Sequence, residues 1–455
     1  SHPMHRLLQG EVGSGKTVVA LRAMLQIVDA GGQAALLAPT EVLAAQHARS
    51  LGELLGPLGR AGELDAADQA TRVALLTGSQ SAAARRSALA EAADGRAGIV
   101  VGTHALLEET VRFRDLGLVV IDEQHRFGVE QRDALRAKGA APPHLLVMTA
   151  TPIPRTVAMT VYGDLEVSSL HELPAGRSPI STAVVPAAEK PGWLERSWQR
   201  VTEEVAAGHQ AYVVCPRIGG DEGTPGVDPE TGSHVYADDD GADGEGGGDE
   251  MRRPPVAVAE LYPQLRNGPL AGLRTAMLHG RLPADDKDSV MRRFAAGELD
   301  VLVATTVVEV GVDVANATVM VVMDAERFGV SQLHQLRGRV GRGAAPGWCL
   351  LVTDAPAGSR ARERLDAVAA TTDGFRLARL DLEQRREGDV LGAAQSGRGQ
   401  LRLLSLLRDE DLIAAAREEA TVLVAADPDL AGQPALAAAV AALVRAEQAD
   451  YLEKT

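Results

Sequence analysis

The chain has 455 residues, a formal net charge of −16, 45% apolar residues and only 3% aromatic residues. A chain of this length is predicted to form roughly two to four domains, and no apolar run approaches the roughly 20 residues of a membrane-spanning helix. Two cysteines, Cys215 and Cys349, are too few for a disulfide framework or a four-cysteine zinc site. We therefore expect a cytoplasmic protein with buried, reduced thiols and no membrane segment.

Short apolar runs alternate with helix-like stretches in the first third of the chain. The helix-like stretches include Thr17–Asp29 and Glu41–Leu55. The runs that are typical of buried strands are Ala34–Ala38, Val73–Thr77, Ile99–Val101, Leu118–Ile121 and Leu145–Met148. Strands that alternate with helices predict a parallel sheet covered on both faces.

A second series of strand-like runs follows a predicted join near Leu173–Pro179. Its members are Thr182–Val185, Ala211–Cys215, Thr275–Leu278, Val301–Ala304, Val319–Val322 and Cys349–Val352. Beyond Arg360 the sequence is rich in Ala, Arg and Leu and is helical in character. We predict an α/β fold with two tandem parallel-sheet lobes, at residues 1–173 and 174–360, and a helical region at 361–455.

An acidic segment, Gly219–Glu250, interrupts the second series. It contains eleven Asp or Glu residues and no Lys or Arg, so the remainder of the chain carries a net charge of only −5. A segment of Gly, Asp and Glu buries too little surface to offset the entropy of ordering, which predicts a disordered surface insertion. Because local patches decide DNA contact, the net charge does not exclude a nucleic-acid partner.

The segment Gly10–Thr17 fits the phosphate-loop pattern G-x-x-x-x-G-K-[ST]. Its glycines let the backbone N–H groups face phosphates, Lys16 reaches the β- and γ-phosphates, and the Thr17 hydroxyl binds Mg²⁺. The alternative is a glycine-rich turn without a ligand, but an apolar helix-like stretch follows at Val18–Val28. We predict ATP and Mg²⁺ as cofactors, with the nucleotide bound by Gly10, Gly13, Ser14, Gly15, Lys16 and Thr17.

A second acidic feature, Asp122-Glu-Gln-His125, closes the apolar strand Leu118–Ile121. A carboxylate at the C-terminal end of such a strand points into the ligand crevice. Asp122 is therefore placed to hold Mg²⁺, and Glu123 to orient and deprotonate the attacking water. The alternative, an acidic turn at a strand end, is disfavoured by the spacing from the phosphate loop. His125 is a poor candidate for a metal ligand because no second ligand lies at helical spacing.

Phosphoryl transfer also requires cations that face the developing negative charge. The segment Gln335–Arg342 supplies three arginines within six residues from the second predicted lobe. The alternative is a solvated basic loop. A site divided between two lobes would make the gap between them sensitive to ATP, as a motor requires.

These segments resemble, in the same order, the motifs of superfamily-2 helicases. Motifs I, II, III and VI correspond to Gly10–Thr17, Asp122–His125, Thr149–Thr151 and Gln335–Arg342, and motifs Ia, Ib and V to Ala38–Glu41, Gly102–His104 and Ala304–Asp313. The segments that are similar to the RecG branch-migration family are Ile121–Val129, Thr149–Thr156, Tyr162–Leu165 and Glu172–Arg177. The translocation motif of that family is resembled by Asp381–Glu383, Leu391–Gly392 and Gln395–Gly397.

The resemblance implies two RecA-like lobes and a motor that remodels branched duplex DNA, such as stalled forks and Holliday junctions, in recombination and repair. Implied catalytic residues are Lys16, Thr17, Asp122 and Glu123, with Arg339 and Arg342 as arginine fingers and Gln335 lining the nucleotide cleft. Implied coupling residues are His125, Thr149 and Thr151. Implied DNA-track residues are Pro39, Thr40, Thr103, Thr306 and Gly311, and a hairpin and loop at residues 376–400 with Arg379 and Gln395 would transmit the stroke. We further expect a monomer, with a single-strand-binding protein as an additional partner.

Two departures from the family pattern affect this interpretation. The translocation motif usually reads Arg-Gly-Pro-Gly-Glu, whereas Arg385–Asp389 reads Arg-Arg-Glu-Gly-Asp. Nine residues precede Gly10, so we expect a helicase core that lacks the N-terminal wedge domain and the adenine-reading glutamine motif. A transcription-repair coupling translocase and a non-catalytic DNA-binding fragment stay open as alternatives. Gln124 disfavours the first of these, because that family usually has Glu there.

Overall fold

A computed structural model of the chain describes residues 3–62, 66–67, 69–122, 138–139, 141–150, 165–171, 179–219, 255–305, 314–343, 345–384 and 409–442. The chain divides into two compact units. The first unit comprises Ser1–Pro152 and Ser168–Leu377, and the second comprises Ile153–Val167 and Ala378–Thr455. Within the described ranges, no helix is long and apolar enough to cross a membrane.

A seven-stranded sheet forms the first half of the first unit. Its strands are β1 (His5–Gly10), β2 (Gln33–Leu37), β3 (Val73–Leu76), β4 (Ile99–Gly102), β5 (Leu116–Asp122), β6 (His144–Thr149) and β7 (Glu166–Leu170). They lie in the order β3-β4-β2-β5-β6-β1-β7, and every neighbouring pair from β3 to β1 is parallel. The accompanying helices are α1 (Lys16–Asp29), α2 (Glu41–Leu55) and α3 (Ala82–Asp94). Because the strands are parallel, their carboxyl ends meet at one edge, which carries the predicted motifs.

Helices α1 and α2 contribute apolar faces to the core of this sheet. Strand β2 is buried along its whole length, as a strand covered on both faces must be. Met24 of α1 and Leu51 of α2 are fully buried and belong to the same apolar cluster as Leu36 of β2. Truncation of such a leucine to alanine costs about 2–5 kcal/mol, so the edge above the sheet depends on this core.

The second sheet repeats the strand order of the first. Its strands are β8 (Ile180–Pro186), β9 (Gln210–Val214), β10 (Thr275–Leu278), β11 (Val301–Ala304), β12 (Ala317–Val322) and β13 (Gly347–Thr353). They lie in the order β10-β11-β9-β12-β13-β8, and all pairs are parallel. The accompanying helices are α4 (Pro191–Ala206), α5 (Val258–Asn267), α6 (Ala284–Ala295) and α7 (Val330–Arg337).

Two buried glutamines mark the equivalence of the two sheets. Gln33 and Gln210 are the first residues of β2 and β9, which occupy the same place in the two strand orders. Each side-chain amide donates to two backbone carbonyls, at 2.8–2.9 Å for Gln33 and 2.6–2.7 Å for Gln210. Each side chain thereby joins the C-terminal end of a helix to the segment that follows that helix.

Helices follow the second sheet. They are α8 (Arg360–Ala370), α9 (Gly374–Gln384) and α10 (Glu410–Ala426), and residues 434–442 are also helical. In the second unit, Arg417 Nη2 of α10 donates to the Leu165 carbonyl oxygen at 3.1 Å. No strand follows β13 in the described ranges up to residue 442.

The α/β class with two parallel-sheet lobes and a helical C-terminal region is confirmed. All eleven predicted strands are present, whereas β1 and β7 were not predicted from the sequence. The acidic insertion beyond Gly219, the join at residues 172–178 and the translocation loop from Arg385 lie outside the described residues. The domain boundaries at residues 173 and 360 stay a prediction.

Candidate ATP and DNA site

The phosphate loop connects β1 to α1 at the carboxyl edge of the first sheet. Gly10 has no room for a side chain, because a Cβ there would lie 2.6 Å from Ser14 Oγ and 3.0 Å from the Leu170 carbonyl oxygen. Gly13 and Gly15 have φ values of 85° and 90°, in the left-handed region that glycine adopts without strain. The N–H groups of the first turn of a helix have no intrahelical acceptor, so the start of α1 offers donors to an anion.

Lys16 and Ser14 supply further polar groups to this loop. Lys16 Nζ donates to the carbonyl oxygens of Gly10 at 2.7 Å and Glu11 at 2.9 Å. Ser14 Oγ is buried and has no hydrogen-bond partner among the described residues. A buried polar group without a partner costs about 1–3 kcal/mol. An ammonium, an unsatisfied hydroxyl and helix N–H groups are donors that a polyphosphate requires, and Thr17 follows in the first turn of α1. The loop therefore fits the phosphates of ATP.

Asp122 is the last residue of β5 and is held by a histidine of α2. Its Oδ2 lies 2.8 Å from Nε2 of His47, and the two side chains are only 15% and 14% exposed. This contact could not be predicted from the sequence, because a single histidine in a helix has no motif or periodicity of its own. Among the described residues, no group of three or more His, Cys, Asp or Glu side chains forms a metal cage. Mg²⁺ bound by one carboxylate, a hydroxyl and phosphates needs no such cage.

Of the predicted coupling and base residues, Thr149 lies beside the phosphate loop through the pairing of β6 with β1. Thr149 ends β6, is 3% exposed and pairs in register with Gln9, directly before the phosphate loop. Glu123, His125 and Thr151 lie outside the described residues.

The arginine-rich motif begins in α7 of the second sheet, and its three arginines differ in their surroundings. Arg337 is 2% exposed and donates to the carbonyl oxygens of Val368 at 2.8 Å and Thr371 at 2.7 Å. Arg339 and Arg342 are half-buried, and Arg342 Nε donates to the Gly338 carbonyl oxygen at 2.9 Å. Arg337 is therefore a structural residue, which leaves Arg339 and Arg342 as the candidate fingers.

This motif approaches the phosphate loop within the first unit. A Cβ on Gly338 would lie 3.5 Å from Val12 Cγ2. His334 Nε2 lies 3.9 Å from Glu11 Oε1. Gln335, the predicted cleft residue, lies between His334 and Gly338 in the chain and is 8% exposed. The structure thus brings motifs I and VI together, although they are more than 300 residues apart in the sequence.

The predicted DNA-track residues of the first lobe lie at the same sheet edge. The Ala38 N–H donates to the Gly102 carbonyl oxygen at 2.8 Å, which brings the segment of Pro39 and Thr40 alongside Thr103. Thr40 Oγ1 accepts from the Leu43 N–H at 3.3 Å and so caps α2.

Thr103 differs from Thr40 in its surroundings. It is 1% exposed, and its Oγ1 has no hydrogen-bond partner among the described residues. Arg379 is an exposed residue of α9 in the second unit. Thr306, Gly311 and Gln395 lie outside the described residues.

Comparisons with known proteins agree with this arrangement. The family described as DEAD/DEAH box helicase matches residues 3–160, and the Helicase conserved C-terminal domain matches residues 256–344. The ATP-dependent DNA helicase RecG of Mycobacterium tuberculosis (strain ATCC 25618 / H37Rv) is 58% identical over 100% of this chain and 59% of its own length. The protein of the same name from Mycobacterium leprae (strain TN) is 56% identical, with 100% and 59% covered. A solved structure of RecG bound to a three-way DNA junction has a TM-score of 0.66 and 37% identity over 90% of this chain and 47% of that chain.

Two equivalent parallel-sheet lobes, with a phosphate loop on the first and an arginine-rich motif on the second, define a superfamily-2 helicase motor core. The chain spans 59% of the length of these two curated relatives. Within that class, the chain belongs to the RecG-type DNA helicases.

Proposed function

We propose that the chain is an ATP-dependent DNA motor. It hydrolyses ATP and uses the cycle to move along duplex DNA at branched structures, such as stalled forks and Holliday junctions, in recombination and repair. The observation that carries this proposal is the approach of motif VI to the phosphate loop, with Val12 and Glu11 facing Gly338 and His334. An ATP bound at this loop would be contacted from both sheets.

The chemistry follows from the positions of the side chains. Lys16 and the N–H groups at the start of α1 would bind the phosphates, and Thr17 and Asp122 would hold Mg²⁺. Mg²⁺, when bound, would neutralise charge on the β- and γ-phosphate oxygens. Glu123, which follows Asp122 in the chain, would orient and deprotonate water. Arg339 and Arg342 would stabilise the charge of the transferred phosphoryl group, and Gln335 would line the cleft.

The remaining motif residues are proposed to link hydrolysis to DNA. His125, Thr149 and Thr151 would couple the two events. The predicted track comprises Pro39, Thr40, Thr103, Thr306 and Gly311, with Arg379 and Gln395 in the translocation element. Such contacts reach the phosphate backbone and read no sequence. The solved RecG structure with a three-way DNA junction supports branched duplex DNA as the substrate class.

ATP turnover with and without a branched DNA, in the native chain and in Lys16→Ala, tests the proposal. The native chain should hydrolyse ATP faster with DNA, and removal of the ammonium should lower turnover by about 100-fold or more. Thermal unfolding checks that the variant keeps its fold. DNA binding by the native chain with no ATP turnover would instead favour the non-catalytic alternative. A coupling-factor translocase would be stimulated as well by linear duplex as by a branched DNA.

The state and location of the protein are also proposals. We propose a cytoplasmic monomer with a single-strand-binding protein as an additional partner. Light scattering of the purified chain measures its mass against the 47.7 kDa of one copy. Titration with purified single-strand-binding protein tests the proposed partner. An unchanged sedimentation profile would show that the two proteins do not bind each other.

A further inference from the structure

The turn between α8 and α9, Thr371–Asp373, is bound on one side by the arginine-rich motif. Arg337 Nη1 donates to the carbonyl oxygens of Val368 and Thr371, at the C-terminal end of α8. A cation is favourable at this end because the helix dipole is negative there. Arg337 therefore fixes the end of α8 to α7.

The other side of the same turn is bound by the phosphate loop. The N–H of Gly374, the first residue of α9, donates to Glu11 Oε1 at 2.8 Å. Asp373 Oδ1 accepts from the N–H groups of Phe375 at 2.9 Å and Arg376 at 3.1 Å, as an N-cap residue does. The Gly374 N–H is one of the first-turn donors that has no intrahelical acceptor. Glu11 thus completes the cap of α9 from the other end of the chain.

The two sides of the turn also face each other. Nδ1 of His334 lies 2.7 Å from Arg337 Nη2. A guanidinium can only donate, so Nδ1 is the acceptor and Nε2 carries the proton of a neutral ring. That Nε2 lies 3.9 Å from Glu11 Oε1. The ring of Phe375 packs against His171, which follows β7, with 4.7 Å between ring centroids. The start of α9 is therefore positioned by several groups, and Glu11 is the contribution of the phosphate loop to them.

Glu11 also contacts Lys16, which is expected to bind the phosphates of the nucleotide. Its carbonyl oxygen accepts from Lys16 Nζ at 2.9 Å. In a phosphate loop this lysine reaches the β- and γ-phosphates, so a bound nucleotide competes for the same ammonium. When Lys16 Nζ binds phosphate, the Glu11 carbonyl oxygen would lose this donor. The environment of the Glu11 backbone would then change, and the carboxylate of the same residue caps α9.

We propose that Glu11 is a positioning residue that couples occupancy of the phosphate loop to the placement of α9. The last turn of α9 and the segment after it resemble the translocation motif, so the contact gives the phosphate loop a path to the DNA-moving element that does not pass through motif VI. This inference rests on the proposed function as a DNA-stimulated ATPase. Glu11 acts through Gly374 and touches no reacting atom.

Gly374→Pro tests the contact without altering the phosphate loop. Proline lacks the N–H donor and is well tolerated at the first position of a helix. Gly374→Ala is the matched control, because it keeps the N–H and adds a side-chain carbon. Three quantities are measured in the 455-residue chain: basal ATP turnover, ATP turnover on a branched DNA, and displacement of the third strand of a DNA triplex per ATP hydrolysed. The third quantity reports movement along the duplex. Gly374→Pro should lower DNA-stimulated turnover and displacement about tenfold, with basal turnover near that of the native chain.

Variants of Glu11 provide a second, independent comparison. Glu11→Ala removes the acceptor, whereas the amide oxygen of Glu11→Gln can still accept from the Gly374 N–H. We expect the ratio of DNA-stimulated to basal turnover to fall in Glu11→Ala and to be mostly restored in Glu11→Gln. The ratio of DNA-stimulated to basal turnover in the double variant Glu11→Ala/Gly374→Pro should be no lower than in Gly374→Pro alone. Both changes remove the same hydrogen bond, so their effects do not add.

The outcomes separate this inference from the function on which it rests. Native stimulation and displacement in Gly374→Pro would overturn the coupling and leave the ATPase function standing. Equal losses in Gly374→Pro and Gly374→Ala, with Glu11→Ala unaffected, would assign the effect to side-chain volume and also overturn it. A native chain without any DNA-stimulated turnover would overturn both the function and the inference.

Discussion

Nε2 of His47 and Oδ2 of Asp122 are 2.8 Å apart, in the mostly buried space between α2 and the end of β5. Asp122 would hold Mg²⁺, so the histidine fixes the orientation of a carboxylate that must meet a metal. Mutation of a residue that orients a metal ligand in this way typically costs about 10–100-fold in metal affinity or activity. The contact also connects motif II to α2, whose N-cap Thr40 belongs to the predicted DNA track.

His47→Ala should raise the Mg²⁺ concentration needed for half-maximal ATP turnover and lower the maximal rate. The expected loss is on the order of 10-fold, because the carboxylate loses its orienting partner. A Mg²⁺ titration of turnover is the measurement. His209→Ala is the control. His209 pairs with Asn316 where β9 and β12 begin, whereas the motifs of the second sheet lie beyond the carboxyl ends of its strands. An unchanged Mg²⁺ requirement in His47→Ala would show that Asp122 needs no support.

Arg337→Ala and Arg339→Ala should fail in different ways. Arg337 is 2% exposed and serves two backbone carbonyls and His334, so its removal leaves buried acceptors without a donor. Each such acceptor costs about 1–3 kcal/mol, and the melting temperature should fall by several degrees. Arg339→Ala should keep the native melting temperature and lower the hydrolysis rate more than nucleotide affinity. Equal losses of rate and affinity in Arg339→Ala would argue against a finger role.

Much of the catalytic edge could be predicted because its signals are local. The glycines of the phosphate loop are required by conformation at single positions, and Asp122 ends β5 directly after the uninterrupted apolar run Leu118–Ile121. Both patterns lie within a few residues of sequence. The order of the motifs along the chain then identified the family.

The features that could not be predicted depend on distant partners. Strand β1 is not an apolar run, since it contains Arg6 and Gln9. In the structure these side chains donate to the hydroxyls of Ser168 and Ser169 in β7, at 2.7 and 2.9 Å. Those serines make β7 equally inconspicuous. In the same way, no local feature separates Arg337 from the other arginines of its motif. Only the position of the α8 terminus shows that it is structural.

Asp288 in α6 predicts a pH dependence of stability. Its pKa is raised by burial and then by the nearby Glu41 carboxylate, while Arg292 and Lys287 lower it and Asp285 raises it further. A raised pKa means that the folded state binds the proton more tightly than the unfolded state. The stabilisation is therefore complete below the ordinary aspartate pKa and is lost as the pH rises through the folded value.

Asp288→Asn removes this unfavourable charge, so it should raise the melting temperature at pH 7. The gain should be on the order of 1 °C and should disappear in acid, where the native side chain is protonated. Melting curves across the pH range measure it. Asp285→Asn, an exposed change in the first turn of the same helix, should give no gain. A gain for Asp288→Asn that persists in acid would have to come from packing and not from ionisation.

The two cysteines should be chemically inert in the folded protein. Cys349 in β13 and Cys215, one residue after β9, are both fully buried and form no disulfide. Burial raises the pKa of the Cys349 thiol to about 12 and raises that of Cys215 as well, with the Asp324 carboxylate adding to the second effect. Since the thiolate is the reactive form, iodoacetamide at pH 8 should modify neither residue until the chain is unfolded. Mass spectrometry of native and urea-treated protein measures this directly. Rapid labelling of Cys215 in the native state would mean that the second sheet opens at β9, and thus that the support of the arginine-rich motif is less rigid than its buried strands imply.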